Sequence, residues 1–214
     1  DAVADNIAPA QVVERIVERV REVGAATASA TLAHMGIRNC FMSGPVARSP
    51  GLAVAGPCVT LQMMPKREDL YEEGEYADVE KQLHRHVLYH AQEGDVVVVD
   101  ARGDMTAGIF GEMMMTYFKG RGGAGLVIDG CIRDYPGQIE LDMPMWLRGL
   151  TPNFHTQTGL MPFDFNCPIA CGGVILPVLV SFSLGAALSP QQFEANAPVR
   201  VLTFAISLVI ALLA

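Results

Sequence analysis

Two short runs of consecutive apolar residues, Val96-Val97-Val98-Val99 and Leu126-Val127-Ile128, constrain this chain more than any other feature. The first follows Gly94-Asp95, the second follows Gly125, and each ends in an aspartate, Asp100 or Asp129. A strand without polar alternation must be covered on both faces, as in sheets with parallel neighbours. Between the runs lie a glycine-rich loop, Gly103 to Gly111, a helical segment, Glu112 to Lys119, and the breaker Gly120-Arg121-Gly122-Gly123. The segment therefore reads as a strand-helix-strand unit of an α/β fold. Ligands of such units gather where strands end and helices begin.

The 214 residues suffice for one domain with its own core, and no linker divides them, so residues 1–214 are expected to form a single domain. A net charge of -8 without a basic cluster argues against nucleic acid as a partner. Five scattered cysteines, and opening residues without a basic-then-apolar signal, point to the cytoplasm. Cys167 and Cys171 have no second pair at zinc-like spacing and read as buried thiols. Composition shifts near Gly172 into two apolar stretches, Val174 to Leu188 and Val199 to Ala214. Both are shorter than the ~20 residues of a spanning helix, and the second carries Arg200, so burial or an interface is expected and no membrane.

Elsewhere, Val12, Val13, Ile16, Val17 and Val20 form the stripe of an amphipathic helix over 10–23, and a second helix covers Thr27 to His34, closed by Gly36. A strand is expected between Leu52 and Met64, bent at Gly56-Pro57. Residues 65–92 form a charged, solvated stretch running into a helix from Asp78 to Ala91. His86 and His90 stand four apart on that helix, near His84, a spacing that can hold a metal but here lacks a third ligand.

Arg133 and Asp134 lie just beyond the second buried strand, after Asp129-Gly130-Cys131-Ile132. Aspartate can ligate Mg²⁺ or Mn²⁺, and the planar arginine fork matches a carboxylate, so together they would hold a 2-oxo acid. The bland alternative is a surface ion pair of little energetic value. The helical turn Gly111-Glu112-Met113-Met114 favours the functional reading, because its unpaired amides and positive dipole end form an anion cradle. Glu112 precedes Arg133 by twenty-one positions, the length of one helix and one strand, which returns the chain to the same end of the sheet. The side chains of Met113, Met114 and Met115 are assigned to core or pocket wall. Gly103 to Gly108 lacks the Walker ending and the dinucleotide spacing.

These motifs resemble the RraA-like family, which includes 4-hydroxy-4-methyl-2-oxoglutarate/4-carboxy-4-hydroxy-2-oxoadipate aldolases and a regulator of ribonuclease E activity. The resemblance runs from about Thr27 through Gly173 and is strongest in Gly94 to Asp100, Gly111-Glu112, Gly123 to Gly130 and Arg133-Asp134. It implies an αββα sandwich of the swivelling β/β/α type, assembled as a homotrimer or homohexamer with sites between subunits. It further implies that Asp134 ligates Mg²⁺ or Mn²⁺, that Arg133 holds the substrate carboxylate, and that the amides of Gly111, Glu112, Met113 and Met114 bind substrate oxygens. Glu112 would orient a water beside the metal, although the aldolases usually carry Asp there. The implied activity is retro-aldol cleavage of a 4-hydroxy-2-oxo acid to pyruvate, with oxaloacetate decarboxylation as related chemistry. The alternative is a non-catalytic, protein-binding regulator. A methyltransferase has little support, for want of a glycine-rich nucleoside-binding turn. The tail 174–214 departs from the family pattern, and Glu194 does not align with the glutamate that a neighbouring aldolase subunit contributes.

Overall fold

The computed structural model describes residues 9–67, 69, 78 and 81–176. The apolar tail beyond Leu176, with Glu194, and most of the charged run 68–80 lie outside the described residues. In chain order the elements are α1 (Pro9–Glu22), α2 (Ala25–His34), β1 (Val46–Ala47), β2 (Cys58–Pro65), α3 (Leu83–His90), β3 (Val96–Asp100) and α4 (Glu112–Gly120). They continue with β4 (Gly125–Ile132), α5 (Tyr135–Ile139), β5 (Met145–Leu150), β6 (Leu160–Phe165), β7 (Ile169–Cys171) and β8 (Val174–Leu176). A 3₁₀ turn over His155–Gln157 lies between β5 and β6.

The two apolar runs become β3 and β4 at the centre of a mixed six-stranded sheet, ordered β1-β5-β4-β3-β2-β6. β2, β3, β4 and β5 run parallel, in register Val59 with Val97 and Val97 with Leu126, and β1 and β6 close the edges antiparallel. Both faces are covered. Val97, Val99, Leu126 and Ile128 pack beneath Val87 and Leu88 of α3 and Met115 and Phe118 of α4. Val96, Val98, Val127 and Trp146 pack beneath Ile169, Cys171, Val174 and Leu176 of the β7–β8 hairpin. Each fully covered valine contributes about 1.5–3 kcal/mol of transfer free energy, which is why the runs lack polar alternation. The result is the expected α/β architecture, with a helical layer, a large sheet and a small sheet.

The hairpin is tied down by the aspartates that close the central runs. Asp129 accepts from the Gly172 N–H at 3.1 Å and pairs with Arg148 of β5, whose guanidinium also donates to Ser43 O at 3.2 Å. Asp100 accepts from the backbone of Arg102 and Ala170, and burial raises its pKa. β4 was expected to end at Asp129 but continues to Ile132, its register with β5 shifting between Ile128 and Cys131. The aspartate thus sits inside the ladder because other groups satisfy its charge.

Two further boundaries differ clearly from the sequence expectation. β2 begins at Cys58, six residues after Leu52. Val54 and Ala55 are buried, yet Arg21 donates to Ala55 O at 3.1 Å, and the first backbone bond to β3 is made by Pro57 O, which accepts from Val96 N–H at 2.7 Å. Helix α3 starts at Leu83 instead of Asp78. His86 and His90 pack edge-on against one Phe165 ring, at centroid distances of 6.3 and 5.6 Å, so an aromatic contact, not a shared metal, explains their spacing. Among the described residues, no three His, Cys, Asp or Glu side chains gather as a metal cluster. No described helix is long and apolar enough to cross a membrane.

None of the five cysteines is in a disulfide. Burial pushes the Cys58 thiol up to about 12, as expected for inert thiols.

Candidate active site

The candidate site forms where β4 ends. Asp134 is left-handed, with φ 56° and ψ 36°, a conformation that aspartate tolerates better than most residues. That single residue turns the chain from β4 into α5 and directs its carboxylate toward the start of α4. Approaching from the other side, residues 108–111 run as an extra rung along the end of β4. Ile109 N–H donates to Cys131 O at 3.0 Å and Arg133 N–H to Phe110 O at 3.1 Å. Phe110 is fully buried and anchors the rung.

Gly111, the residue before α4, therefore lies against the Arg133-Asp134 pair. A Cβ at Gly111 would stand 2.5 Å from Asp134 Oδ2 and 2.9 Å from Arg133 Nε, so a side chain there would displace the ends of both. Glycine permits the close approach. Met115 N–H bonds back to Gly111 O at 3.1 Å, and the earlier amides of the turn have no helical carbonyl to reach. Their partial positive charge faces the same place as the guanidinium.

Arg133 and Asp134 interact at 3.6 Å, with side chains 36% and 49% exposed. A pair this exposed holds its partners weakly, about 0–1 kcal/mol, so either group can exchange it for a ligand. Glu112 begins α4 with its carboxylate against Gly137 of α5, where any side chain would collide with it. The amino end of α4 and the side chains of Arg133 and Asp134 thus meet at one end of the sheet, with the Glu112 carboxylate beside α5. Of the three methionines, Met115 is buried and Met114 packs on the core, but Met113 is 74% exposed, which corrects its assignment to core or pocket wall. Its helical position points away from α3 and the sheet.

Three residues, Gln138, Phe154 and His155, escaped sequence reasoning, and His84 was considered only beside His86 and His90. Gln138 of α5 is fully buried, and its Nε2 donates to Phe110 O at 3.1 Å and Arg133 O at 2.6 Å, cross-linking the two turns. Gln138→Leu should remove both bonds, leaving Phe110 O only its bond from Arg133 N–H, and cost about 1–2 kcal/mol, read as a lower urea midpoint. Phe154 places its ring 5.7 Å from the Arg133 guanidinium carbon. His155 and His84, each 1% exposed, meet edge to face at 4.3 Å.

Burial, then the positive charge of Arg133, depresses the His155 pKa to about 4, and His84 is also held well below the ordinary range, by burial first and then by His155 and nearby arginines. An unfolded imidazole takes up its proton near 6.5, before the folded one does. His155 therefore adds stability in full above that pH and loses it as pH falls from 6.5 toward 4. Stability should drop by about 1.4 kcal/mol per pH unit from this group across that window. Urea unfolding at pH 7, 6 and 5 measures the slope, and His155→Gln should flatten it.

The RraA-like family model, described as Aldolase/RraA, matches residues 10–180. The chain belongs to the RraA-like family. A relative from Halalkalibacterium halodurans, named "Putative 4-hydroxy-4-methyl-2-oxoglutarate aldolase", is 39% identical over 112 residues, covering 51% of this chain and 52% of the relative. A relative of the same name from Ectopseudomonas mendocina is 31% identical over 105 residues, 48% of this chain and 64% of the relative. This RraA-like chain thus spans about half to under two thirds of the length of these relatives. Among solved structures, Streptomyces coelicolor RraAS2, described as an unusual member of the RNase ES inhibitor RraA protein family, is 37% identical with a TM-score of 0.67, covering 87% of this chain and 94% of that one. A Geobacillus kaustophilus protein described as an S-adenosylmethionine: 2-dimethylmenaquinone methyltransferase is 20% identical with a TM-score of 0.54, covering 70% and 84%, and shares the fold alone.

A hard divalent cation would find one exposed carboxylate here, Asp134. Mg²⁺ commonly takes one or two carboxylates and fills its shell with water and substrate oxygens. Asp134, exposed and weakly paired, offers such a ligand at the mouth of the anion cradle.

Proposed function

We propose that this protein is a divalent-metal-dependent lyase that cleaves a 4-hydroxy-2-oxo acid, of the 4-hydroxy-4-methyl-2-oxoglutarate type, to pyruvate, with oxaloacetate decarboxylation as a second capacity. The observation that carries the reading is the approach at Gly111, which sets the amino end of α4 against Arg133 and Asp134. An exposed carboxylate that could hold a cation and a cationic fork, beside the amino end of a helix, suit a small acid bearing adjacent carboxylate and carbonyl oxygens.

Asp134 would hold Mg²⁺ or Mn²⁺, which when bound supplies Lewis-acid polarisation of the 2-oxo group. Arg133 binds the substrate carboxylate through its planar fork. The Glu112 carboxylate, through a water, accepts the proton of the 4-hydroxyl. As that O–H electron pair closes to a carbonyl, the C3–C4 bond breaks and its electrons pass to the pyruvate fragment as an enolate. The amides of residues 111–114 and Arg133 stabilise the charge, and protonation at C3 completes pyruvate. Oxaloacetate leaves the same fragment when it loses carbon dioxide, so the same groups serve both reactions. Donors preorganised in this way are typically worth about 3 kcal/mol each in the transition state.

The free thiols support a cytoplasmic setting. Exposed Met113 and Tyr117 on α4 and Ile139 on α5 support assembly as a homotrimer or homohexamer, with further ligands from a neighbouring subunit.

Pyruvate release from 4-hydroxy-4-methyl-2-oxoglutarate and from oxaloacetate, with Mg²⁺ or Mn²⁺ and then with excess chelator, tests the reading. Asp134→Ala should abolish the chelator-sensitive release with an unchanged circular dichroism spectrum. Arg133→Ala should raise KM on the order of a hundredfold, as expected for loss of a bidentate charged contact. The likeness to RraAS2 favours one other reading, a binding regulator of a ribonuclease. No release from either substrate, together with inhibition of an RNase E-type enzyme, would establish that reading instead.

A further inference from the structure

The segment linking β5 to β6 comes to the site although nothing in the proposed chemistry uses it. It is pinned on both sides. Thr151 N–H donates to Ile132 O at 3.0 Å, and Gly108, on the rung that delivers Gly111, donates to Asn153 O at 2.9 Å and pairs in parallel with Phe154. The turn closes on itself, with Phe154 N–H donating to Gln157 Oε1 at 3.1 Å and the Thr158 hydroxyl to His155 O at 2.8 Å. His155 points inward from this turn and meets His84 of α3 edge to face at 4.3 Å, both rings 1% exposed.

Phe154 points the other way. Its half-buried ring stands 5.7 Å from the guanidinium carbon of Arg133, within the range of a cation–π contact. The backbone that carries the ring is held by the hydrogen bonds of its turn and by the buried His155 beside it. Burial above all lowers the pKa of both imidazoles, so neither of these two rings adds a positive charge beside the guanidinium near neutral pH. An arginine side chain has large rotamer freedom, and its other contact is the weak ion pair with Asp134.

We propose that Phe154, carried on the buried His155–His84 pair, is a positioning residue that holds the Arg133 guanidinium ready for the substrate carboxylate. This rests on the lyase reading, in which Arg133 binds that carboxylate. A preorganised fork binds more tightly because less freedom is lost on association. The effect falls on binding, because the guanidinium touches the same carboxylate before and during bond cleavage.

The test compares wild type, Phe154→Leu and Phe154→Trp, full chain with Mg²⁺, by steady-state pyruvate release and by calorimetric titration with oxalate, a dicarboxylate that mimics the 2-oxo acid. Phe154→Leu should raise KM and the oxalate Kd by about tenfold with kcat within about twofold, and the tryptophan variant should restore both. Phe154→Met replaces the leucine variant if that protein does not fold. An active wild type whose KM is unaltered by the leucine variant, or is not restored by tryptophan, overturns the positioning role and leaves the lyase reading intact. If wild type releases no pyruvate, the lyase reading fails and oxalate decides alone. A weaker oxalate Kd in the leucine variant, restored by tryptophan, then supports positioning, whereas equal affinities or no wild-type binding overturn it.

Discussion

Gly111→Ala should lower pyruvate release on the order of a hundredfold, because an ångström of misplacement at a catalytic group is typically worth that much. The added methyl would stand 2.5 Å from Asp134 Oδ2 and 2.9 Å from Arg133 Nε, distances that Cβ atoms do not adopt. Either α4 retreats from the strand end or the two side chains turn away, and both separate the amides from the groups they act with. Overpacking of this kind costs about 1–3 kcal/mol, so the protein should still fold at 25 °C. Gly120→Ala is the control, since a methyl there meets nothing within 4 Å. The decisive comparison is kcat/KM for the two alanine variants beside their urea midpoints. A Gly111 variant with wild-type turnover would separate the amino end of α4 from the chemistry.

The largest loss of stability outside the apolar core should follow Arg148→Met. Asp129 has 7% of its side chain exposed and depends on Arg148 and on Gly172 N–H. Removing the arginine strands a carboxylate under the β7–β8 hairpin, near a second buried acid, Asp100. Breaking one side of a buried pair costs about 3–5 kcal/mol, and the partial exposure of Arg148 places the expectation at about 3. Asp129→Asn in the same background should recover more than half of that loss, because a neutral amide needs no counter-charge. Urea denaturation of the single and double variants checks both values. An additive double variant would show that the two side chains stabilise the protein independently.

Much of the site was legible before any coordinate. Arg133 and Asp134 stand at the carboxyl end of an apolar strand, and Gly111-Glu112 opens the preceding helix, so their convergence follows from the length of one strand-helix-strand unit. Gln138, Phe154 and His155 were not legible. Gln138 looks like any polar residue of a short helix, and only its full burial reveals that it binds two carbonyls from separate turns. Phe154 reaches Arg133 across the whole of β5, through a segment with neither periodicity nor motif. His86 and His90 show the converse, since their helical spacing suits a metal until Phe165, brought from β6, fills the space beside both.

Local chemistry thus determined the central strands, the helix between them and the family to which the chain belongs. A fully apolar run has only one way to satisfy the hydrophobic effect, which is cover on both faces. Tertiary structure alone decided where β2 begins, because Arg21 takes the carbonyl of Ala55 from outside the sheet. It also decided that Asp129 lies inside β4, since a buried carboxylate is tolerated only where Arg148 and the Gly172 amide converge on it. Those partners lie 19 and 43 residues away in the chain, and a charge pairing at that separation leaves no periodic trace in the sequence.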